Sequence, residues 1–192
     1  MNSKRYLISY PISLETRRIL DEILYSLTSK HLSIPDCHIS LAYPFFPKTD
    51  VSEGTLISRF QSIQAAAIPS HLSSLGIFHG SQRDKTTLYA KVEPFKEYAN
   101  LHDIVTQTME GYVETDLSTF VTNTAPKFDP HISLDYHTSS TQELNDKIKN
   151  IKPDHSFILD KLTLKREETP GIWKQVVEID LKPSPLSKPQ RD

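Results

Sequence analysis

The hexapeptide His38-Ile39-Ser40-Leu41-Ala42-Tyr43 returns as His131-Ile132-Ser133-Leu134-Asp135-Tyr136, with five of its six residues unchanged. The two copies start 93 positions apart, close to half of the 192-residue chain. Each is a short run of alternating polar and apolar residues, the pattern of a half-buried strand. A strand repeated at this distance predicts two similar halves, each giving one strand to a shared centre.

Side chains alternate between the faces of a strand, so His38 and Ser40 share one face while Ile39 and Leu41 take the other. His131 and Ser133 do the same in the second copy. The same rule sends Tyr43 and Tyr136 to the face opposite the histidines, as core or rim aromatics. Two imidazoles and two hydroxyls can then converge on a volume the size of one phosphate. Imidazole titrates near neutrality, so one ring can take a proton while its twin gives one, and cleavage of a phosphodiester needs both acts. Ser40 and Ser133 are expected to hold the non-bridging oxygens. The scheme asks for no metal and no cofactor. A zinc site made from His38, His131 and Asp135 is the weaker alternative, because it lacks compact local ligand spacing. Cys37, the single cysteine, excludes an intrachain disulfide; as a strand neighbour of His38 it faces away and is expected to be buried.

The rest of the chain alternates strands and helices irregularly. Strands are predicted at Lys4–Ile12, Cys37–Tyr43, His71–Phe78, Thr86–Glu93, His131–Tyr136, Ser156–Leu164 and Trp173–Leu181. Helices are predicted from Ser13, as N-cap, to about His31, and over Ser52–Ala67, Phe95–Tyr112 and Thr141–Asn150. A polar turn at Gly80–Lys85 joins a hairpin, and a long polar stretch runs from Glu114 to Asp129. Several hairpin-like pairs favour an α+β architecture with antiparallel sheets and flanking helices over a parallel doubly wound one. Residues 1–181 read as one bilobal domain, followed by a loose proline-rich tail over 182–192.

Composition narrows the partners. With 24 acidic against 22 basic residues the formal net charge is −2, whereas proteins that grip long nucleic acid carry a strong positive excess. A nucleotide or short oligonucleotide suits the chain better than a duplex. The apolar run near the start, Tyr6 to Ile12, is broken by Ser9 and Pro11, so neither a secretory signal nor a membrane span is expected, and the chain reads as a cytoplasmic monomer. Tyr10, Phe45 and Phe46, next to the ends of the first two strands, are expected to border the cleft and stack on a nucleobase.

The paired His-Ile-Ser motifs resemble those of the 2H phosphoesterase superfamily. Its signature, a histidine, an apolar residue and a threonine or serine, occurs twice, and the group includes LigT-like 2′-5′ RNA ligases, 2′,3′-cyclic nucleotide phosphodiesterases and 2′-5′ oligoadenylate phosphodiesterases. The likeness spans most of residues 4 to 181. It implies two pseudo-symmetric lobes around a cleft and two-histidine hydrolysis of a 2′,3′-cyclic or a 2′-5′ or cyclic oligonucleotide phosphodiester. Asp135 stands where LigT-like ligases often place a basic residue, which disfavours RNA ligation. A cyclic-nucleotide-binding protein without turnover, or an RNA ligase or RNA-end-processing enzyme, is the alternative.

Overall fold

A computed structural model describes residues 4–32, 37–79, 86–114, 128–136 and 142–183. The expected turn at 80–85, most of the polar stretch 114–129 and nearly all of the tail lie outside them. Among the described residues, eight strands and four helices run in the order β1 (Tyr6–Pro11), α1 (Leu14–Thr28), β2 (His38–Phe45), α2 (Glu53–Gln61), β3 (Ile68–His79), β4 (Thr86–Glu93), α3 (Phe95–Met109), β5 (His131–Tyr136), α4 (Gln142–Asn150), β6 (Ser156–Leu159), β7 (Lys161–Thr169) and β8 (Ile172–Asp180). The architecture is α+β, as the sequence indicates.

Local chemistry explains the helix starts. The Ser13 and Ser52 hydroxyls accept from the backbone N–H of Thr16 and Thr55, each at 3.1 Å, satisfying donors that the first turns of α1 and α2 leave open. Helix α1 stops at Ser29, whose φ of 58° is left-handed. Helix α2 ends well before the predicted Ala67. The chain from Ala65 to Ala67 instead bonds Lys182, donating Ala67 N–H to its carbonyl at 2.7 Å, and leads into β3. Extended backbone ties outbid the helical periodicity there.

All eight strands form one antiparallel sheet in the order β6-β3-β4-β5-β2-β1-β7-β8. The two motif strands lie at its middle, side by side. Each ends a strand–helix–strand passage, β1-α1-β2 and β4-α3-β5, so the two predicted halves are the two sides of this sheet. The helices brace them crosswise: α1 packs against β5, and α3 against β2. Ile39, Leu41, Ile132 and Leu134 are buried beneath them in one continuous core with Leu20, Leu24, Tyr98 and Val105.

The predicted single strand Ser156–Leu164 is two strands. Asp160 alone separates β6, first in the sheet order, from β7, which is seventh. Six strand spacings span about 29 Å in a flat sheet, whereas one residue reaches roughly 3.5 Å. The sheet must therefore curl until its two sides nearly meet. Tyr10 fastens that closure: on β1, it donates its hydroxyl to the Ile158 carbonyl of β6 at 2.9 Å and stacks on Phe157.

Candidate active site

His38 opens β2 and His131 opens β5, and the strands are in antiparallel register with Ile39 opposite Ile132. Continuing that register by one residue each way sets His38 across from Ser133 and Ser40 across from His131. Each imidazole thus stands beside the hydroxyl of the other copy. The histidines occupy opposite corners of this quartet, roughly 7 Å apart as diagonal neighbours in a sheet are. The four side chains line one cavity of about 250 Å³, at the small-ligand end of binding-site sizes. Cys37, Tyr43, Phe78, Thr87 and Tyr136 complete its wall.

Strict alternation would have kept both tyrosines out of this cavity. The burial of β2 alternates as far as Leu41, but Leu41 and Ala42 are both buried, and the phase then shifts by one. Its pairing with β1 records the cause: Ser9 opposes Ser40 and Ile8 opposes Ala42, so Leu41 is an extra residue on β2. Strand β5 repeats the irregularity, with Tyr89 opposite Ser133 and Leu88 opposite Asp135, which leaves Leu134 as the extra residue. The two bulges fall at the same place in each copy. A bulge turns the residues beyond it to the other face, so Tyr43 and Tyr136 join the histidine face, while Ala42 and Asp135 turn into the core. The tyrosines thus depart from the sequence expectation. The signal was present, since tyrosine closes both copies of the repeat.

His131 is held more firmly than a rim histidine would be. Its Nδ1 lies 2.7 Å from the Asp129 carbonyl oxygen, which can only accept, so Nδ1 carries the proton and Nε2 remains for chemistry. Burial pushes its pKa below the ordinary value, opposed by the Asp129 bond. Burial likewise raises the Tyr43 and Tyr89 phenols, so both stay protonated at neutral pH.

The aromatics singled out from sequence lie elsewhere. Tyr10 is buried at 5% exposure and closes the curl of the sheet. Phe45 is fully buried and stacks on Tyr6, its partner across β1. Phe46 is half-buried just after β2, its carbonyl accepting the Glu114 N–H at 2.9 Å. None of the three lines the cavity. Phe78, Tyr43 and Tyr136 do, and Phe78 carried no signal in the sequence beyond being an aromatic in a strand. Asp135 is buried on the core side, with Lys30 Nζ 3.5 Å from its carboxylate. That placement separates it from the histidines and removes the zinc set considered from sequence; among the described residues no group of three or more His, Cys, Asp or Glu side chains is arranged to hold a metal. It also withdraws the inference about substrate drawn from Asp135, which faces away from the cavity. Cys37 is buried as expected, although its position just before β2 also gives it a share of the cavity wall. Among the described residues no helix is long and apolar enough to cross a membrane.

The chain's relatives are remote in sequence and close in fold. No curated protein matches it. E. coli LigT in complex with phosphate superposes with a TM-score of 0.65 at 14% identity, covering 95% of this chain and 99% of that one. E. coli LigT with 3′-AMP gives 0.65 at 14%, covering 94% and 99%. TT0787 of Thermus thermophilus gives 0.69 at 15%, covering 93% and 98%. These identities speak for the fold alone. The family model described as the 2′-5′ RNA ligase superfamily matches residues 11–170, a span that holds both motif strands, both bulges and the whole cavity wall, and this chain belongs to that superfamily.

Proposed function

We propose that the protein is a metal-independent phosphodiesterase that opens a 2′,3′-cyclic phosphate or cleaves a 2′-5′ or cyclic oligonucleotide phosphodiester. The observation that carries this reading is the cross-strand quartet of His38, Ser133, Ser40 and His131 around a single cavity. A phosphate seated on the two hydroxyls would have one imidazole on either side, the arrangement an in-line displacement needs. E. coli LigT has been seen with phosphate and with 3′-AMP, so that protein accepts a free phosphate and a nucleoside phosphomonoester.

His131, kept neutral by burial with Nε2 free, suits the base. It takes a proton from water as the oxygen attacks phosphorus; the bond from phosphorus to the ribose oxygen breaks, and His38 gives that oxygen a proton. The net charge of the pair is restored by proton exchange with solvent. The aromatic side of the cavity, Phe78 with Tyr43 and Tyr136, offers faces for the nucleobase, Tyr136 being 51% exposed at the rim.

The deciding experiment incubates the protein, in EDTA, with 2′,3′-cyclic mononucleotides, 2′-5′ oligoadenylates and cyclic dinucleotides. Turnover of one class in EDTA is expected. Loss of turnover in EDTA would overturn the metal-free mechanism, and tight binding without product would replace the enzyme by a nucleotide-binding protein. The pH profile of kcat/KM should be bell-shaped. Because His131 must be neutral to act as base, its acid limb should lie below the ordinary imidazole value of 6.5. An acid limb at or above that value would reassign the base.

A further inference from the structure

One glycine in the sheet has a close neighbour. Gly76 on β3 is paired with Tyr89 on β4, and a Cβ built at Gly76 would overlap the Tyr89 ring, meeting its Cζ and hydroxyl oxygen first and Cε1 at 2.8 Å. The phenol lies over the glycine, a site where an aromatic covers bare backbone across a strand pair. From there Tyr89 stacks on Phe78, with centroids 3.9 Å apart and planes 12° from parallel. Both rings then meet His131 edge-on, Phe78 at 4.9 Å and 72°, Tyr89 at 5.6 Å and 70°. The His131 ring is therefore fixed at two points, by its Nδ1–H bond to the Asp129 carbonyl and by this aromatic pair along its flank.

In the first copy of the repeat the place that Tyr89 holds opposite Ser133 is taken by a serine. Tyr89 is opposite Ser133, and the residue opposite Ser40 is Ser9, whose hydroxyl lies 3.2 Å from that of Thr163.

We propose that Tyr89, seated on Gly76 and stacked against Phe78, is a positioning residue that holds the His131 ring with Nε2 turned to the cavity. The inference rests on the two-histidine reaction proposed above for its consequence in rate, and on geometry alone for its effect on His131. The phenol does not itself line the cavity, so it acts through the imidazole. A displacement of about 1 Å at a reacting group can cost a hundredfold in rate.

The test compares Tyr89→Leu, Tyr89→Phe, Gly76→Ala and the double variant Gly76→Ala/Tyr89→Ala, each checked for a cooperative melt. Two quantities are read: kcat and KM on the substrate class turned over by the wild type, and the titration of the His131 imidazole by NMR without substrate. Tyr89→Leu should lower kcat roughly ten- to hundredfold with little change in KM, and His131 should titrate at higher pH as the flank of its ring opens to water. Tyr89→Phe should recover most of the loss, since the ring does the work. Gly76→Ala, which must push the phenol aside, should resemble Tyr89→Leu, and the double variant should be no worse than either. The other titratable groups about His131, namely Lys91 opposite it, the nearby Asp129, and His38, Cys37, Tyr43 and Tyr136 around the cavity, are unchanged in every variant. A folded Tyr89→Leu with wild-type kcat and wild-type His131 titration would overturn the proposal. If Tyr89→Leu does not fold, the same null result in Gly76→Ala overturns it. A wild type that turns nothing over would sink the phosphodiesterase reading and leave the NMR titration to decide the positioning role by itself.

Discussion

Replacing either His38 or His131 with alanine is expected to lower turnover by roughly a hundred- to ten-thousandfold while the fold survives. The size of the effect follows from the task. A water molecule near neutrality is a poor nucleophile until its proton is taken, and a ribose alkoxide is a poor leaving group until it is given one. In the proposed reaction each histidine supplies one of these transfers. Both rings are only partly buried and point into a cavity rather than the core, so truncation opens space without stripping a packed apolar cluster. The double variant should be far less than additively worse, because either loss alone would already disable the proposed concerted transfer. The measurement is kcat/KM for the three proteins under one buffer, with thermal melts as the control for folding. Full activity in either single variant would remove that histidine from the mechanism.

Phe45→Ala should destabilise the protein by about 3–5 kcal/mol and leave the chemistry of the folded fraction near that of the wild type. Sequence reasoning put this ring at the border of the cleft; the structure buries it completely, stacked on Tyr6 at the far end of β2 from His38. Tyr6 in turn bonds Glu53 at 3.0 Å, and Glu53 is paired with Arg166, so a cavity beside Tyr6 loosens a junction of β1, α2 and β7. A loss of this size is a large part of the roughly 5–15 kcal/mol that holds a typical domain together. Urea unfolding of the two proteins tests it. A variant of wild-type stability with weakened substrate binding would return Phe45 to the site.

The histidine and serine pairs were legible because a strand repeats every two residues, and that rule holds from position 38 to 41 and from 131 to 134. It fails one residue later, where each strand gains an extra residue. A bulge is a property of the pairing between strands, so Leu41 and Leu134 look like ordinary strand residues in the chain that contains them. The consequence was a reversed assignment of Tyr43, Tyr136 and Asp135. Tyr10 was misjudged for a related reason: its partner Ile158 lies far along the chain, on a strand whose separation from β7 rests on Asp160 alone. Gly76 and Tyr89 meet only across a hairpin pairing. Local pattern gave the strands, the helices and the shared face of the histidines and serines; what it missed is set by contacts between distant segments.

The strand order also bears on how the molecule is made. The side of the sheet that carries His131, β6-β3-β4-β5, is drawn from one unbroken stretch, 68–159, whereas the side that carries His38 joins β1 and β2 to β7 and β8. On a ribosome, which delivers roughly 5–20 residues each second, the later stretch can finish its pairing while the earlier one is still waiting. β1 and β2 emerge first, and their side is complete only when β7 arrives to pair with β1 and β8 with β7. His131 is therefore mounted on a side of the sheet that can be finished early, and His38 on a side whose outer strands, β7 and β8, are the last to be synthesised.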